Sequence, residues 1–246
     1  SDGRTKQISA NFVMDCAGYY NYDKGHTPEF KGSEHFKGQV VHPQFWPENF
    51  DYAGKKVVVI GSGATAVTLV PAMTDKAAHV TMLQRSPTYI AAIPSEDKGA
   101  NRLRAILPKR LAYSIIRTRK VAFGAALFRM SKFRPEWIKG LLLKGVSMQL
   151  RDKSLVEKHF TPKYDPWDER LCAATDGDMF KGINNGDISI VTDHIESFAE
   201  TGIQLKSGET LQADIIITAT GLILRDPHDT PIIVDGKPVD YPNSFN

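Results

Sequence analysis

An apolar run that leads directly into a glycine-rich turn constrains the fold more than any other stretch of the chain. Residues 57–60 are all β-branched and predict a buried strand, and the residues that follow begin with Gly61 and Gly63. A strand, a glycine turn and the start of a helix, in this order, commonly hold the pyrophosphate of a dinucleotide. We therefore expect a parallel α/β sheet at this point, with a helix that begins near Gly63.

The small residues of this turn have separate roles in binding an anion. Gly61 permits the tight turn, Gly63 lets the backbone approach a phosphate, and Ala66 allows the helix to pack closely on the strand. Amide groups at the helix N-terminus attract the anion. The candidate cofactor-binding residues of the motif are Gly61, Ser62, Gly63, Ala64, Thr65 and Ala66. The alternative is a plain corner between a strand and a helix.

The end of the next strand indicates which dinucleotide is bound. Residues 78–83 predict a second parallel strand, and Arg85 and Ser86 follow it where NAD-binding units commonly place an acid. An acid would repel a 2′-phosphate, whereas the Arg85 guanidinium can donate two hydrogen bonds to it and Ser86 a third. We expect the cofactor to be NADP(H). The alternative is that Arg85 is a solvated charge at the end of a strand.

Length and composition exclude several classes of protein. The chain has 246 residues, of which 41% are hydrophobic and 24% charged, which suits one large domain or one domain with part of another. No apolar run approaches the roughly 20 residues that span a bilayer, and no signal-peptide pattern is present, so we expect a cytoplasmic protein. The two cysteines, Cys16 and Cys172, are far apart, so we expect neither a disulfide framework nor a metal site.

The basic residues are concentrated in the segment 98–153. It contains fifteen Lys and Arg against two acids, a balance of +13, so that the rest of the chain carries −10 of the net +3. The pattern predicts a helical insertion over 95–150 with breaks at Pro108 and Pro135, which disfavour one continuous membrane helix. Three interpretations stay open: a solvated face, peripheral contact with anionic membrane lipid, or steering of the cofactor phosphates. We expect no nucleic-acid binding, because no stacking platform or recognised module accompanies the charge.

Other segments carry weaker signals. Alternation over 7–16 predicts a strand, and the Tyr- and Gly-rich residues 19–25 predict a loop or linker. Residues 160–170 are too rich in proline and aromatic residues for regular structure and predict a loop. Further strands are predicted over 38–42, 188–192, 203–206 and 214–221.

A second motif lies just before the strand and glycine turn. It consists of Phe36, Gly38, His42, Trp46 and Pro47. This spacing resembles the fingerprint of type I Baeyer–Villiger monooxygenases, the flavin enzymes that insert an oxygen atom beside a ketone carbonyl, and every defining position matches. Related flavin-containing and N-hydroxylating monooxygenases share a looser form that commonly lacks the Trp-Pro ending. The surrounding phrases are similar to the subgroup that contains the mycobacterial ethionamide-activating monooxygenase, and the resemblance covers nearly the whole chain.

The resemblance implies a domain organisation in which the chain passes twice between a flavin domain and an NADP domain. We expect residues 1–18 to be a remnant of a Rossmann-like FAD domain with the first crossing. Residues 19–218 would form a Rossmann-like NADP-binding domain with the helical insertion, and residues 219–246 the second crossing and the return. His42, which alone would be an ordinary hydrogen-bonded loop residue, would couple the domains conformationally. Only one of the family's two glycine fingerprints is present, so we expect this polypeptide alone neither to bind FAD firmly nor to turn over.

The resemblance also places Arg170 at the family's active-site arginine, close to the flavin and the nicotinamide. A fixed cation in a dry pocket can stabilise negative charge that develops as oxygen attacks a carbonyl. Without the resemblance, Arg170 would be a surface ion-pair residue beside neighbouring acids. One departure is Glu169, which stands where many members have a Lys that helps to hold the 2′-phosphate. Selectivity for NADPH would therefore depend more strongly on Arg85.

The function implied by the resemblance is an NADPH- and FAD-dependent monooxygenase. It would use O2 to convert a ketone into an ester or lactone and would also oxidise thioethers at sulfur. A stand-alone or degenerate NADP-binding module is an alternative from a different class, and the single glycine fingerprint favours it. A two-dinucleotide disulfide reductase is a third interpretation, which the lack of a CxxC pair disfavours.

Overall fold

The structure is a computed structural model that describes residues 5–14, 16, 18–224 and 232–239. The chain divides into two compact units, one formed by Ser1–His26 with Gly221–Asn246 and the other by Thr27–Thr220. The domain boundaries expected after residues 18 and 218 stay a prediction.

The described residues form six α-helices and fourteen β-strands. In chain order the elements are β1 (Tyr20–Gly25), β2 (Gln39–Val41), β3 (Lys56–Ile60), α1 (Ala64–Ala72), β4 (His79–Gln84), β5 (Tyr89–Ile93), α2 (Lys98–Ile106), α3 (Lys109–Phe133), α4 (Pro135–Gln149), α5 (Ser154–Phe160), β6 (Leu171–Thr175), α6 (Asp178–Asn185), β7 (Ile188–Thr192), β8 (Ile195–Ala199), β9 (Gly202–Leu205), β10 (Thr210–Gln212), β11 (Ile215–Thr218), β12 (Leu222–Leu224), β13 (Ile233–Val234) and β14 (Lys237–Pro238). Short 3-10 helices cover Ser33–His35, Pro43–Phe45 and Met73–Asp75.

A five-stranded parallel sheet forms the centre of the larger unit. Its strand order is β2-β11-β3-β4-β7, and the neighbouring strands pair in parallel. The expected α/β fold is therefore confirmed. Because all five strands run the same way, the residues that follow them are gathered at one edge of the sheet, where ligands bind in open α/β folds. We call this the carboxyl edge.

Both faces of this sheet are covered, which explains the uninterrupted apolar run of β3. Successive side chains of a strand point to opposite faces. Val57 and Val59 pack in one buried cluster with residues of α1 and α6, whereas Val58 and Ile60 pack in a second cluster with residues of the antiparallel sheet β10-β9-β8. Each face thus needs apolar side chains at alternate positions, and the two requirements together leave no polar position in 57–60.

The helical insertion consists of α2, α3 and α4. Pro108 directly precedes α3 and Pro135 is the first residue of α4, positions at which a proline removes no helical hydrogen bond. Asp97 begins α2 by accepting a hydrogen bond from the Ala100 amide at 2.9 Å. That bond and the side chains of Lys120 and Arg119 hold the pKa of Asp97 well below its usual range. Within the described residues, no helix combines the length and apolarity needed to cross a membrane.

Two local predictions were wrong, and both failures have a non-local cause. The described residues of the segment 7–16 form no strand, and Ile8, Phe12 and Val13 in it are all exposed, so that no packed layer supports one. The loop predicted over 19–25 is instead the strand β1, which pairs antiparallel with β12. Turn-forming residues are as frequent there as strand formers, but the distant partner strand supplies the hydrogen bonds.

Position in the central sheet should decide the cost of truncating a side chain. Ile217 is fully buried in β11, whereas Val40 in β2, at the edge of the sheet, is 45% exposed. Ile217→Ala should lower the free energy of unfolding by about 2–5 kcal/mol, because it removes buried methyl groups and leaves a cavity. Val40→Ala should cost less than about 1 kcal/mol. Urea unfolding followed by circular dichroism measures both, and equal losses would contradict the described packing.

Candidate functional site

The glycine turn joins three strands at the carboxyl edge. Gly61 follows β3, and its amide donates a hydrogen bond to the carbonyl oxygen of Leu83 in β4 at 2.9 Å. Its φ is +132°, a backbone conformation that residues with a side chain rarely adopt. A Cβ at this position would also overlap the carbonyl oxygen of Ala219, which lies just after β11. Only glycine therefore fits at residue 61.

The N-terminus of α1 lies open beside this turn. Gly63 is its capping residue and offers no side-chain oxygen to the helix, and a Cβ at Gly63 would have no atom within 4 Å. Ala64 and Thr65 are exposed, whereas Ala66 is fully buried against the sheet. The first amides of a helix have no acceptor within it. This end of α1 therefore presents amide donors beside free space, and it fits a phosphate of a dinucleotide.

Arg85 and Ser86 lie at the same edge. Both follow β4, both are exposed, and β4 pairs with β3 so that Leu83 is opposite Ile60. None of the salt bridges between described residues involves Arg85. The guanidinium thus stands at the end of the strand next to the glycine turn, where an anionic group of a ligand could reach it.

A series of buried hydrogen bonds fixes Gln84, the residue before Arg85. The Gln84 amide nitrogen donates to the carbonyl oxygen of His159 and to the Thr192 hydroxyl, both at 2.8 Å. Thr192 in turn lies 2.7 Å from Nδ1 of His159. Because the Thr192 hydroxyl oxygen accepts a hydrogen bond from Gln84, the hydroxyl can donate its own hydrogen to Nδ1 of a neutral His159. Burial, and to a smaller extent the nearby Lys158 charge, lower the pKa of His159 to about 4. The backbone that carries Arg85 is therefore held to β7 and α5 by the hydrogen bonds of Gln84.

Two tyrosines hold the loop that carries Arg170. The Tyr164 hydroxyl donates to the carbonyl oxygen of Arg170 at 2.8 Å, and the Tyr89 hydroxyl donates to the carbonyl oxygen of Tyr164 at 2.9 Å. Burial raises the pKa of Tyr89 to about 12, so it stays a donor. Arg170 itself is exposed and directly precedes β6. The loop is thus fixed through its backbone, while the guanidinium is left to solvent.

Hydrogen bonds connect this loop to the glycine turn. The Ser62 and Thr88 hydroxyls are buried and lie 2.8 Å apart. Thr88 also forms a hydrogen bond with Tyr164. This bond lowers the pKa of Tyr164, whereas burial raises it. The Cys172 thiol points at the carbonyl oxygen of Ser62, and burial raises its pKa. The structure therefore brings the glycine turn, the segment after β4 and the Arg170 loop together.

Sequence reasoning missed Thr88, Tyr89 and Tyr164 as supports of the site. Tyr164 lies in the aromatic cluster that was predicted as a loop, and Thr88 lies three residues after Arg85. Their roles depend on the parallel pairing of β5 with β6, in which Tyr89 is opposite Leu171. No motif spacing indicates that pairing, so only the fold could show these contacts.

The first part of the fingerprint, Phe36 and Gly38, is packed at the other end of β2. The Phe36 ring is edge-to-face with Phe198, with ring centroids 6.2 Å apart, in the buried cluster beneath the sheet. A Cβ at Gly38 would overlap the carbonyl oxygen of Asp214 and the Phe36 ring. These two residues therefore have packing reasons for their identity that need no ligand.

The second part of the fingerprint follows β2 at the carboxyl edge. The His42 ring nitrogen Nδ1 accepts from the Gln44 amide at 3.2 Å and caps the 3-10 helix Pro43–Phe45. Trp46 is 38% exposed and edge-to-face with Phe50, and Pro47 is half-buried. The fingerprint thus spans the whole length of the edge strand and does not form one cluster.

Comparison with known proteins decides the family. A family model described as flavin-binding monooxygenase-like matches residues 1–234. The chain belongs to this family. It is 53% identical over 237 residues to the probable FAD-binding monooxygenase AlmA of Acinetobacter baylyi, an alignment that covers 96% of this chain and 47% of the relative. It is 51% identical over 241 residues to the FAD-containing monooxygenase EthA of Mycolicibacterium smegmatis, with 98% and 49% covered.

This flavin-binding monooxygenase-like chain therefore spans about half the length of the curated relatives it matches. The resemblance inferred from the fingerprint is confirmed at the level of the family. Solved structures share the fold at low identity. An oxidized steroid monooxygenase bound to NADP has a TM-score of 0.65 at 22% identity and covers 84% of this chain and 46% of that one. An open cyclohexanone monooxygenase has a TM-score of 0.61 at 18% identity, with 82% and 47% covered.

A separate groove of about 770 Å³ opens at the amino ends of β2, β3 and β11. Its lining mixes charges of both signs, including Lys37, Lys56 and Asp214. It contains Gly38 but none of the candidate cofactor residues, because those follow the strands at the opposite edge. The chemistry is therefore better assigned to the carboxyl edge than to this groove.

The buried hydrogen bonds around His159 predict a dependence of stability on pH. The pKa of His159 is about 4 in the fold and near 6.5 when unfolded. The unfolded chain therefore binds its proton first as the pH falls, and stability should decrease from pH 6.5 to pH 4 by up to about 3 kcal/mol. His159→Gln should flatten this part of the pH profile in urea unfolding. A pH profile for His159→Gln that runs parallel to that of the unaltered chain would refute the assignment.

Proposed function

We propose that this chain is the NADP-binding portion of a Baeyer–Villiger-type flavin monooxygenase. Such an enzyme inserts oxygen beside a ketone carbonyl to give an ester or lactone. The same enzyme would also oxidise thioethers at sulfur. The observation that carries the proposal is the open N-terminus of α1 at Gly63 beside the exposed Arg85. The family match and the complete fingerprint support the reaction class.

The pyrophosphate of NADPH is assigned to the glycine turn. The turn at Gly61 keeps the N-terminus of α1 at the carboxyl edge, and Gly63 leaves space for the phosphate oxygens. The amides at residues 62–66 would donate to those oxygens, in a position where the helix dipole also favours negative charge. Ser62 cannot offer its hydroxyl freely, because that group is engaged with Thr88.

The 2′-phosphate is assigned to Arg85 and Ser86. A guanidinium donates two parallel hydrogen bonds to a phosphate, and a hydroxyl can add a third. Gln84 holds the backbone from which Arg85 projects, so the cation is presented from a fixed base. Glu169 is exposed and would not contribute to phosphate binding.

Arg170 is assigned to electrostatic stabilisation at the reacting centre. When bound, NADPH supplies a hydride and FAD activates molecular oxygen. Arg170 would then stabilise negative charge that develops on oxygen as it attacks the ketone, from a loop that Tyr164 keeps in place. We assign no residue of this chain to the flavin. For His42 we propose conformational coupling between the domains.

We further propose that the protein is cytoplasmic. Its basic segment 98–153 would make peripheral contact with anionic membrane lipid. Its fifteen cations against two acids support this partner.

Arg85 should decide cofactor choice. In calorimetric titration of the chain, NADPH should bind more tightly than NADH, and Arg85→Gln should weaken NADPH about 10–100-fold because charge-assisted hydrogen bonds are lost. The affinity for NADH should stay unchanged, because NADH has no 2′-phosphate. Lys206→Gln, which removes a cation elsewhere in the same unit, is the matched control. Equal affinities of the unaltered chain for the two cofactors would refute the assignment.

Arg170 should affect turnover without affecting cofactor binding. A suitable enzyme is a chimera in which this chain replaces the matching half of the Acinetobacter relative. Arg170→Ala should lower NADPH-dependent ester formation from a ketone by about 10²–10³-fold, because one stabilising charge is lost, while the affinity for NADPH stays within about threefold.

Lys163→Ala removes an exposed cation from the same loop and should leave ester formation unchanged. Undiminished product formation in Arg170→Ala would exclude the proposed role. Tight NADPH binding by a chimera with no ketone-dependent turnover would instead favour a binding module without catalytic activity.

A further inference from the structure

The long helix α3 exposes most of its surface. It has 25 residues, and only Ala112 and Ser131 are buried, while Ile116 and Leu127 are half-buried. These four positions mark one narrow face that packs on the rest of the unit. The helix contains no Asp or Glu. Solvated helices of globular proteins usually carry charges of both signs on the side away from the core.

Exposed apolar residues occur on several faces of α3, and one row of them follows a face next to the packed one. Its members are Leu111, Ile115, Ala122, Ala126 and Phe133, all exposed. Their spacings of four and seven residues place them on one side of a helix. That side is turned about a third of a turn from the packed face. Phe133 is 75% and Leu111 50% exposed, so the row is not covered by other parts of the unit. We call these five residues the α3 row.

The next helix repeats the arrangement. Trp137, Leu141 and Met148 of α4 are 58%, 48% and 71% exposed, and their spacing of four and seven residues again puts them on one face. Ile138 and Val146 on the other side are buried. We call the three exposed residues the α4 row.

Cations lie among these apolar side chains. By helical spacing, Arg129 falls on the same side of α3 as the α3 row, and Lys144 on the same side of α4 as the α4 row. Salt bridges between described residues engage three cations of the segment, namely Arg119 and Lys120 with Asp97 and Lys132 with Asp168. Most of its positive charge is therefore available to an external anion.

We propose that the α3 and α4 rows, with Arg129 and Lys144, form a surface that binds the anionic face of a lipid bilayer. Large apolar and aromatic side chains interleaved with Arg and Lys suit the boundary between headgroups and acyl chains. Each cation near an anionic bilayer adds to the attraction. A second copy of this chain would present a surface with the same strong positive charge and would be repelled. The proposal rests on the membrane contact proposed above for the segment 98–153, and it is independent of the assignments for NADPH and Arg170.

Sedimentation with lipid vesicles tests the proposal on the chain itself. Vesicles of phosphatidylglycerol mixed with phosphatidylcholine should bind it at least about tenfold more tightly than vesicles of phosphatidylcholine alone, and high salt should weaken this binding. Absence of binding, or equal binding to both kinds of vesicle, would overturn the proposal.

Two double variants separate the charged and apolar contributions. Arg129→Glu with Lys144→Glu should weaken binding to the anionic vesicles at least about tenfold. Ile115→Ser with Phe133→Ser should weaken it at least about fivefold, because less apolar surface enters the bilayer. The four side chains are solvent-facing, and circular dichroism checks that the variants fold.

Lys31→Glu with Lys206→Glu makes the same change of net charge outside the segment and should alter binding less than about twofold. If this control weakens binding as much as Arg129→Glu with Lys144→Glu, only net charge matters and the surface is wrongly placed. If the serine variant binds like the unaltered chain, the site accepts polyanions generally and the lipid assignment fails. A dimer that Ile115→Ser with Phe133→Ser converts to a monomer would show that a second copy covers the rows.

Discussion

The burial of β3 on both faces is the constraint on which the rest of the larger unit depends. Val57 and Val59 require a helical layer on one side, and Val58 and Ile60 require the antiparallel sheet on the other. A strand so enclosed can meet a ligand only at its end. Gly61 makes that end usable, because its positive φ turns the chain out of the sheet beneath Ala219 and directs the N-terminus of α1 into open space.

The local part of this arrangement could be predicted from the sequence, and the distant part could not. The run 57–60, the glycine turn and Arg85 lie within one βαβ unit, so period and spacing predict their relative positions. The strand β1 and the pair β5–β6 depend on partners many residues away, and no local pattern identifies those partners. The supports of Arg170 were missed for this reason, although the loop containing it was predicted.

The candidate site combines a fixed backbone with exposed cations. Gln84 is buried and bonded to two elements, while the adjacent Arg85 is exposed. Tyr89 and Tyr164 are likewise engaged in the fold, and Arg170 beyond them is exposed. A cation on a backbone that is already fixed loses only side-chain freedom when a ligand binds, which favours specific recognition of charged groups.

The two tyrosine hydrogen bonds that hold the Arg170 loop end on main-chain oxygens, those of Tyr164 and Arg170 themselves. Every amino acid carries such an oxygen, so the anchorage does not depend on which side chain occupies residue 170. A lineage could replace the guanidinium by another group without dismantling the scaffold beneath it. A substitution at residue 170 would then leave the stability of the loop largely unchanged. The loop is therefore a suitable starting point for diversification by mutation.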